Sequence, residues 1–423
     1  DASSHPAGIN IYSDSGVHRV STVNGAITFN GTAGTGTART FGGIHVDGGV
    51  ANITSTRGDV EFIGIANASG YGISNAGTLN IGGDGTTNSS GNVTLTADAI
   101  NAGGTYNIRN TGNVTIRSNG ASFSSAFDWN SRFALLGTKA GLTLGKSTNT
   151  QNVTLTSATS VAGNISLYGG NVTLNNSLTA SNSGIVRLAA TNGAITQNAS
   201  GIITTASLAL LGGNATLTQT TNNVTTLAAQ DMGSLSFVNA GNLTVATVNP
   251  TGVSANGTVN ISTRSGDLTV TEAISTTNTS SSAITLIAGS TTANGTTTGG
   301  NILISGNGSV SVGTGGRATL YTGSIANSTG VSALVGSGSG NFRYSSNATV
   351  SNFDTTNASL GAGTYAVYRE RPTLTISGSS STITYGNASS YSMSSNQANG
   401  DTFDQIFGSG NGPTNSFVGA VYS

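Results

Sequence analysis

The sequence predicts an all-β protein: a right-handed parallel β-helix (β-solenoid) with a small C-terminal β module or cap. Three observations predict it. Short apolar clusters rich in β-branched residues recur along the chain, each bounded by Gly, Asn, Ser or Thr. Charged residues make up 7% of the 423 residues, against about 25% in an ordinary soluble domain. Prolines number only 4, fewer than a row of separate sandwiches with linkers would use.

The clusters come first. They include "NITS" at Asn52, "NVTLT" at Asn92, "NVTIR" at Asn113 and "NVTLT" at Asn152. "NISLY" at Asn164, "NVTLN" at Asn171, "NATLT" at Asn214, "NLTVA" at Asn242 and "NILIS" at Asn301 follow. Most alternate between apolar and polar residues, as a strand with one buried face does.

The charge deficit selects a solenoid among all-β folds. There, each residue lies about 4.8 Å from its counterpart in the next rung. Like charges at that spacing repel, whereas Asn, Ser and Thr form hydrogen-bonded ladders. Parallel crossovers favour a right-handed coil. The reading assigns residues 1–368 to the β-helix. Rungs of roughly 20 residues make about 18 rungs rising on the order of 90 Å.

Two stretches break the pattern. Residues 122–141, "SFSSAFDWNSRFALLGTKAG", gather Phe123, Phe127, Trp129 and Phe133. Their spacing fits a short helix or an extruded loop, read either as a partner-binding patch or as an insertion packed on the flank. At residue 368 charge rises locally and Pro372 follows. Residues 369–423 are therefore expected to form a C-terminal β module, a cap or a subunit-joining segment. Tyr368, Pro372, Phe403, Phe407 and Phe417 are the candidates for a subunit joint.

Composition excludes several function classes. With a net charge of −1 and only Lys139 and Lys146 as lysines, the chain cannot build a face that neutralises phosphates, so nucleic acid is set aside. Cysteine is absent, which removes thiol catalysis and thiolate zinc sites. No apolar run reaches the length of a membrane helix. His5, His18 and His45 have no carboxylates at metal spacing, and no metal or cofactor is expected. Asp59 and Glu61 on "GDVEF" are the nearest thing to a paired-carboxylate site. Little else converges on them, so no enzyme is expected. "GGDG" at Gly82 is a single copy of what calcium-binding arrays repeat. Asn-X-Ser/Thr triplets are frequent, and Asn30, Asn92, Asn171, Asn256 and Asn294 are candidates for glycan attachment. Many such asparagines begin strands, where a ladder role competes.

The run "GNISLYGGNVTLNNSLTASNSGIVRLAATNGAITQ" is followed by "LALLGGNATLTQTTNNVTTLAA" and "GSLSFVNAGNLTVATV". Together they resemble the repeat region of filamentous-haemagglutinin-like exoproteins, the large adhesins of the two-partner secretion pathway in Gram-negative bacteria. "RPTLTISGSSSTITYGN" is similar to the opening of a short module that often follows the β-helix in these proteins. The family's amino-terminal secretion domain is not visible, so a fragment or processed form is expected. The resemblance implies a right-handed parallel β-helix, an outer-membrane secretion partner, and a role in adhesion, aggregation or biofilm. Export in an unfolded state agrees with the missing cysteines. The expected function is a secreted or cell-surface structural adhesin, a stiff stalk meeting host or neighbouring-cell surfaces. The alternative is a subunit that self-associates head-to-tail into an extracellular filament or matrix fibre.

Overall fold

The computed structural model describes residues 7–12, 16–34, 42–67, 70–83, 85–351, 360–378, 391–395, 399–402 and 405–406. They form a parallel β-helix, in which each turn lays its strands beside those of the turn before. The chain divides into two compact units. One is Asp1–Asn239 with Thr247–Thr251, the other Ala240–Ala246 with Gly252–Ser423.

In the first unit the opening turn has three strands, Ile9–Tyr12, Val17–Thr22 and Ile27–Thr32. They pair in parallel with Ile44–Asp47, Val50–Ser55 and Val60–Ile65 of the next turn. These pair in turn with Ile73–Asn75, Thr78–Gly82 and Val93–Thr96. Further along, Val153 lies beside Val172, Val172 beside Ile195, Ile195 beside Ala215, and Ala215 beside Leu235. Successive side chains of a strand point to opposite faces. In Asn113–Arg117, Val114 and Ile116 are buried while Thr115 is half-buried. The core is therefore a column of stacked aliphatic side chains.

The turns are uneven. One turn carries the chain from Val153 to Val172, close to the expected length, but the first runs from Ile9 to Ile44. Apart from a shift between Ala180 and Ile185, the described strands keep their register, and the residues between them take up the differences in length.

In the second unit, Leu243–Val245, Leu268–Val270 and Ile302–Ile304 stack in parallel. Val259–Thr263, Ile284–Ile287, Arg317–Thr322 and Gly363–Tyr368 form another parallel stack. One short helix, Val331–Val335, packs against Gly363–Tyr368. Leu374–Gly378 and Tyr391–Ser395 pair antiparallel, unlike the turns before them.

Residues 122–141 form neither a helix nor an extruded loop. Phe127–Trp129 and Phe133–Leu136 are strands, each paired in parallel with a neighbouring turn. Phe127 and Trp129, two apart, both point inward. The four-residue spacings that resembled a helix belong to rings meeting across a corner.

Candidate functional site

The aromatic cluster is interior. Phe123, Phe127, Trp129 and Phe133 are all buried, Trp129 to 1% exposure. Phe133 lies at its centre, stacked on Tyr106 at 4.9 Å and on Trp129 at 5.1 Å. Phe127 stacks on Phe123 at 5.2 Å. The indole Nε1 donates to Thr159 Oγ1 at 2.9 Å. No ring of the cluster is free at the surface, which corrects the expected partner-binding patch. Large flat side chains fill a corner that aliphatic residues would leave hollow.

Asparagines at strand starts form ladders. Asp59 Oδ1 accepts from the Asn92 backbone N–H at 2.8 Å, and Asn92 Oδ1 accepts from the Asn113 N–H at 2.9 Å. Asn171 Nδ2 donates to Asn152 Oδ1 at 2.8 Å, while its own Oδ1 accepts from the Ala194 N–H at 2.7 Å. The second unit repeats the device from Asn242 to Asp267, then Asn301, then Ser324. The nitrogen a glycan would need is thus engaged at Asn92, which donates it to Asp59, and at Asn171. Asn294 donates its Nδ2 to the Ser345 carbonyl. Asn30 and Asn256 stand exposed. Replacing Asn171 by Ala removes two hydrogen bonds between turns. Chemical denaturation should show a loss of about 1–2 kcal/mol, whereas Asn256→Ala should change stability by less than about 0.5 kcal/mol.

A groove of about 530 Å³ opens on the outward face of the first unit. Strands Val17–Thr22 and Val50–Ser55 form its floor, with Arg19 paired to Asn52 and Ser21 to Thr54. Gly82 extends the second row, and Gly83, Thr87, Asn88 and Ser89 make the wall. Ser89 bridges to Asn110. Behind Asn110 lies the buried Lys139, whose ammonium donates to the carbonyls of Asn110 at 2.7 Å, Leu136 and Gly137. Burial, and secondarily Arg109, push the Lys139 pKa down to about 8.

The remaining candidates disperse. Asp59 is held in its ladder, and Glu61 pairs with Arg117 at 3.7 Å. Each carboxylate is engaged with a separate partner. His45 is buried 3.9 Å from Asp47, and His18 is exposed. His5 and Asp84 of "GGDG" lie outside the described residues. Among the described residues, no group of three or more His, Asp or Glu could hold a metal ion. No helix there is long and apolar enough to cross a membrane.

In the second unit Tyr368 is buried and stacks on Tyr344 at 5.7 Å. Tyr344 donates to Asp401 Oδ2 at 3.0 Å, and Asn399 Nδ2 donates to Tyr344 at 3.1 Å. Burial pushes the Tyr344, Tyr368 and Asp401 pKa values up. The Arg369 guanidinium is buried on the carbonyls of Ala288, Thr298 and Gly300. Tyr368, a candidate for the subunit joint, is thus interior in this unit. Pro372 is half-buried. Phe403, Phe407 and Phe417 lie outside the described residues.

Sequence reading missed the two caged cations, Lys139 and Arg369, and the groove. The only signal was a lysine and an arginine in a chain that has few. No protein family, curated protein or solved structure matches the chain.

Proposed function

We propose that the chain is an extracellular structural adhesin, a stiff β-helical stalk used in surface attachment, aggregation or biofilm. The observation that supports this most is the outward face. Half-buried Thr, Ser and Asn recur there turn after turn, and Thr196 Oγ1 donates to Thr173 Oγ1 at 3.4 Å. Such a face spends its polar groups on bonds between turns. It suits a scaffold whose work is mechanical and not catalytic. The resemblance to filamentous-haemagglutinin-like exoproteins supports the same reading. With it come secretion to the surface of a Gram-negative cell and an outer-membrane partner for export.

A filament subunit is the second reading, and one observation favours it. In the first unit, among the described residues, Ile9–Tyr12, Val17–Thr22 and Ile27–Thr32 are each the last strand of their sheet. Tyr12, Val17 and Val20 are 50%, 51% and 43% exposed. An open apolar edge templates pairing with another chain, and a head-to-tail contact that does not close makes a fibre.

Electron microscopy of native protein, with attachment of protein-coated beads to bacterial cells, tests both. Single rods of about 90 Å on beads that attach are expected for the stalk. Fibres with a regular axial repeat replace it with the filament. Round particles on beads that do not attach remove both.

A further inference from the structure

The peptide bond between Asn399 and Gly400, in the second unit, lies against the loop that follows the helix Val331–Val335. The Asn399 carbonyl oxygen accepts from the Gly338 backbone N–H at 2.7 Å and from Ser337 Oγ at 2.9 Å. Gly400 has a φ of +73°, and a Cβ there would come within 2.5 Å of Ser337 Oγ. Glycine is what lets the chain approach the loop so closely. The Asn399 side chain is engaged as well, and the residue is 1% exposed. Its Nδ2 donates to the Tyr344 hydroxyl at 3.1 Å, and that hydroxyl donates to Asp401 Oδ2 at 3.0 Å. Tyr368, stacked on Tyr344, donates to Asn399 Oδ1 at 3.5 Å.

Each contact has a chemical counterpart. Two donors on one carbonyl oxygen make an oxyanion hole, which stabilises the charge that develops when the carbonyl carbon is attacked. An amide nitrogen attacks poorly until it gives up a proton. Tyr344 and Asp401 form a path for that proton, from Nδ2 to the phenol oxygen and from the phenol to the carboxylate. Burial raises the Asp401 pKa, against the hydrogen bond from Tyr344 and the charge of Arg343. That makes it a stronger base than a surface carboxylate. We propose that the chain cleaves itself after Asn399 by cyclisation of the asparagine side chain. Nδ2 forms a bond to the Asn399 carbonyl carbon, and the bond from that carbon to the Gly400 nitrogen breaks. The proton leaves Nδ2 through Tyr344 to Asp401 and ends on the Gly400 amine. One product is a chain that ends in a succinimide at residue 399. The other is a peptide of residues 400–423, which carries away Phe403, Phe407 and Phe417. The proposal is independent of the stalk reading, since a stalk or a separate protein could shed this tail equally.

Incubation of the freshly purified full chain, read by intact-mass spectrometry and peptide mapping, tests it. The expected products are a chain ending at residue 399, one water lighter than its free acid, and a peptide beginning at Gly400. That readout is made on the wild type and depends on no variant. Asn399→Ala should abolish cleavage, and Tyr344→Phe should slow it about a hundredfold or more. Ser337→Ala removes one donor from the oxyanion and should slow it about a hundredfold. Ser337 is exposed, so this variant should fold, with the far-UV circular dichroism of the parent. Asp401 acts through Tyr344, and its carboxylate is faced by Tyr344, Tyr368 and Arg343. In the wild type the rate should fall as pH is lowered and this carboxylate takes up a proton. Asp401→Asn should be slow at every pH and lose that dependence. A chain still intact after several days at room temperature, loss of ammonia at Asn399 with the chain uncut, equal cleavage in urea, or an unchanged rate in Ser337→Ala and Tyr344→Phe each overturns the proposal.

Discussion

Trp129→Ala is expected to destabilise the first unit by about 3–5 kcal/mol, the range for deleting a fully buried large aromatic. The cost has two parts. Removing the indole takes apolar surface out of the core and leaves a cavity beside Phe133, whose ring now stacks on it at 5.1 Å. It also strips Thr159 Oγ1 of its donor. Thr159→Val separates the parts, because it leaves the ring in place and orphans its N–H, at a cost of about 1–3 kcal/mol. Stacked-turn proteins unfold in sections, so the readout should be local. Hydrogen exchange of the amides in Phe127–Trp129 and Val153–Leu155 gives it. A loss below about 1 kcal/mol for Trp129→Ala would mean that the aromatic layer is loosely packed and does not hold the corner.

Lys139→Met is expected to cost about 2–4 kcal/mol at neutral pH, because three carbonyls lose a charged donor and that of Asn110 remains buried. The pH dependence is the sharper test. The Lys139 pKa is lowered from 10.5 to about 8 by burial and Arg109. A lysine in the unfolded chain returns to the ordinary value. Between about pH 8 and 10.5 the unfolded state therefore binds more protons than the folded one, and stability rises with pH. Below about pH 8 both states are protonated, and the slope vanishes. The difference in stability between wild type and Lys139→Met should thus grow by roughly 2 kcal/mol from pH 8 to pH 10. Comparing the two proteins cancels the tyrosines, which titrate in both. A flat difference across that range would show that the carbonyl cage holds the ammonium charged against burial.

The fold was legible because it is written locally. Val114, Thr115 and Ile116 state their own alternation, and the turn residues on either side state where the strand ends. The ladder asparagines were legible only as a pair of readings. "NVT" is at once a glycan acceptor triplet and a strand start, and only the geometry of Asn171 Nδ2 on Asn152 separates the two. The aromatic stretch misled because Phe123 and Phe127, like Trp129 and Phe133, lie four apart. That spacing imitates a helix, while the inward pair Phe127 and Trp129 obeys the period of a strand. Lys139 and Arg369 were illegible for a deeper reason. Beyond the neighbouring Leu136 and Gly137, the carbonyl that closes the Lys139 cage comes from Asn110, and those around Arg369 come from Ala288, Thr298 and Gly300. Nothing near either cation in sequence announces them. The groove is the same kind of object, since Arg19, Asn52 and Asn88 meet only through the register of the turns.

The uneven turns have a consequence for how such a chain can change. An insertion inside a strand moves every later side chain of that strand to the wrong face. An insertion at a corner is corrected at the next strand start, where an asparagine again accepts the backbone N–H of its neighbour, as Asn92 does from Asn113. These residues act like punctuation, resetting the count whatever the length of the sentence before. Mutation is therefore free to lengthen the corners, and loops such as the one that brings Thr87, Asn88 and Ser89 to the groove are where novelty can accumulate while the frame beneath is copied unaltered.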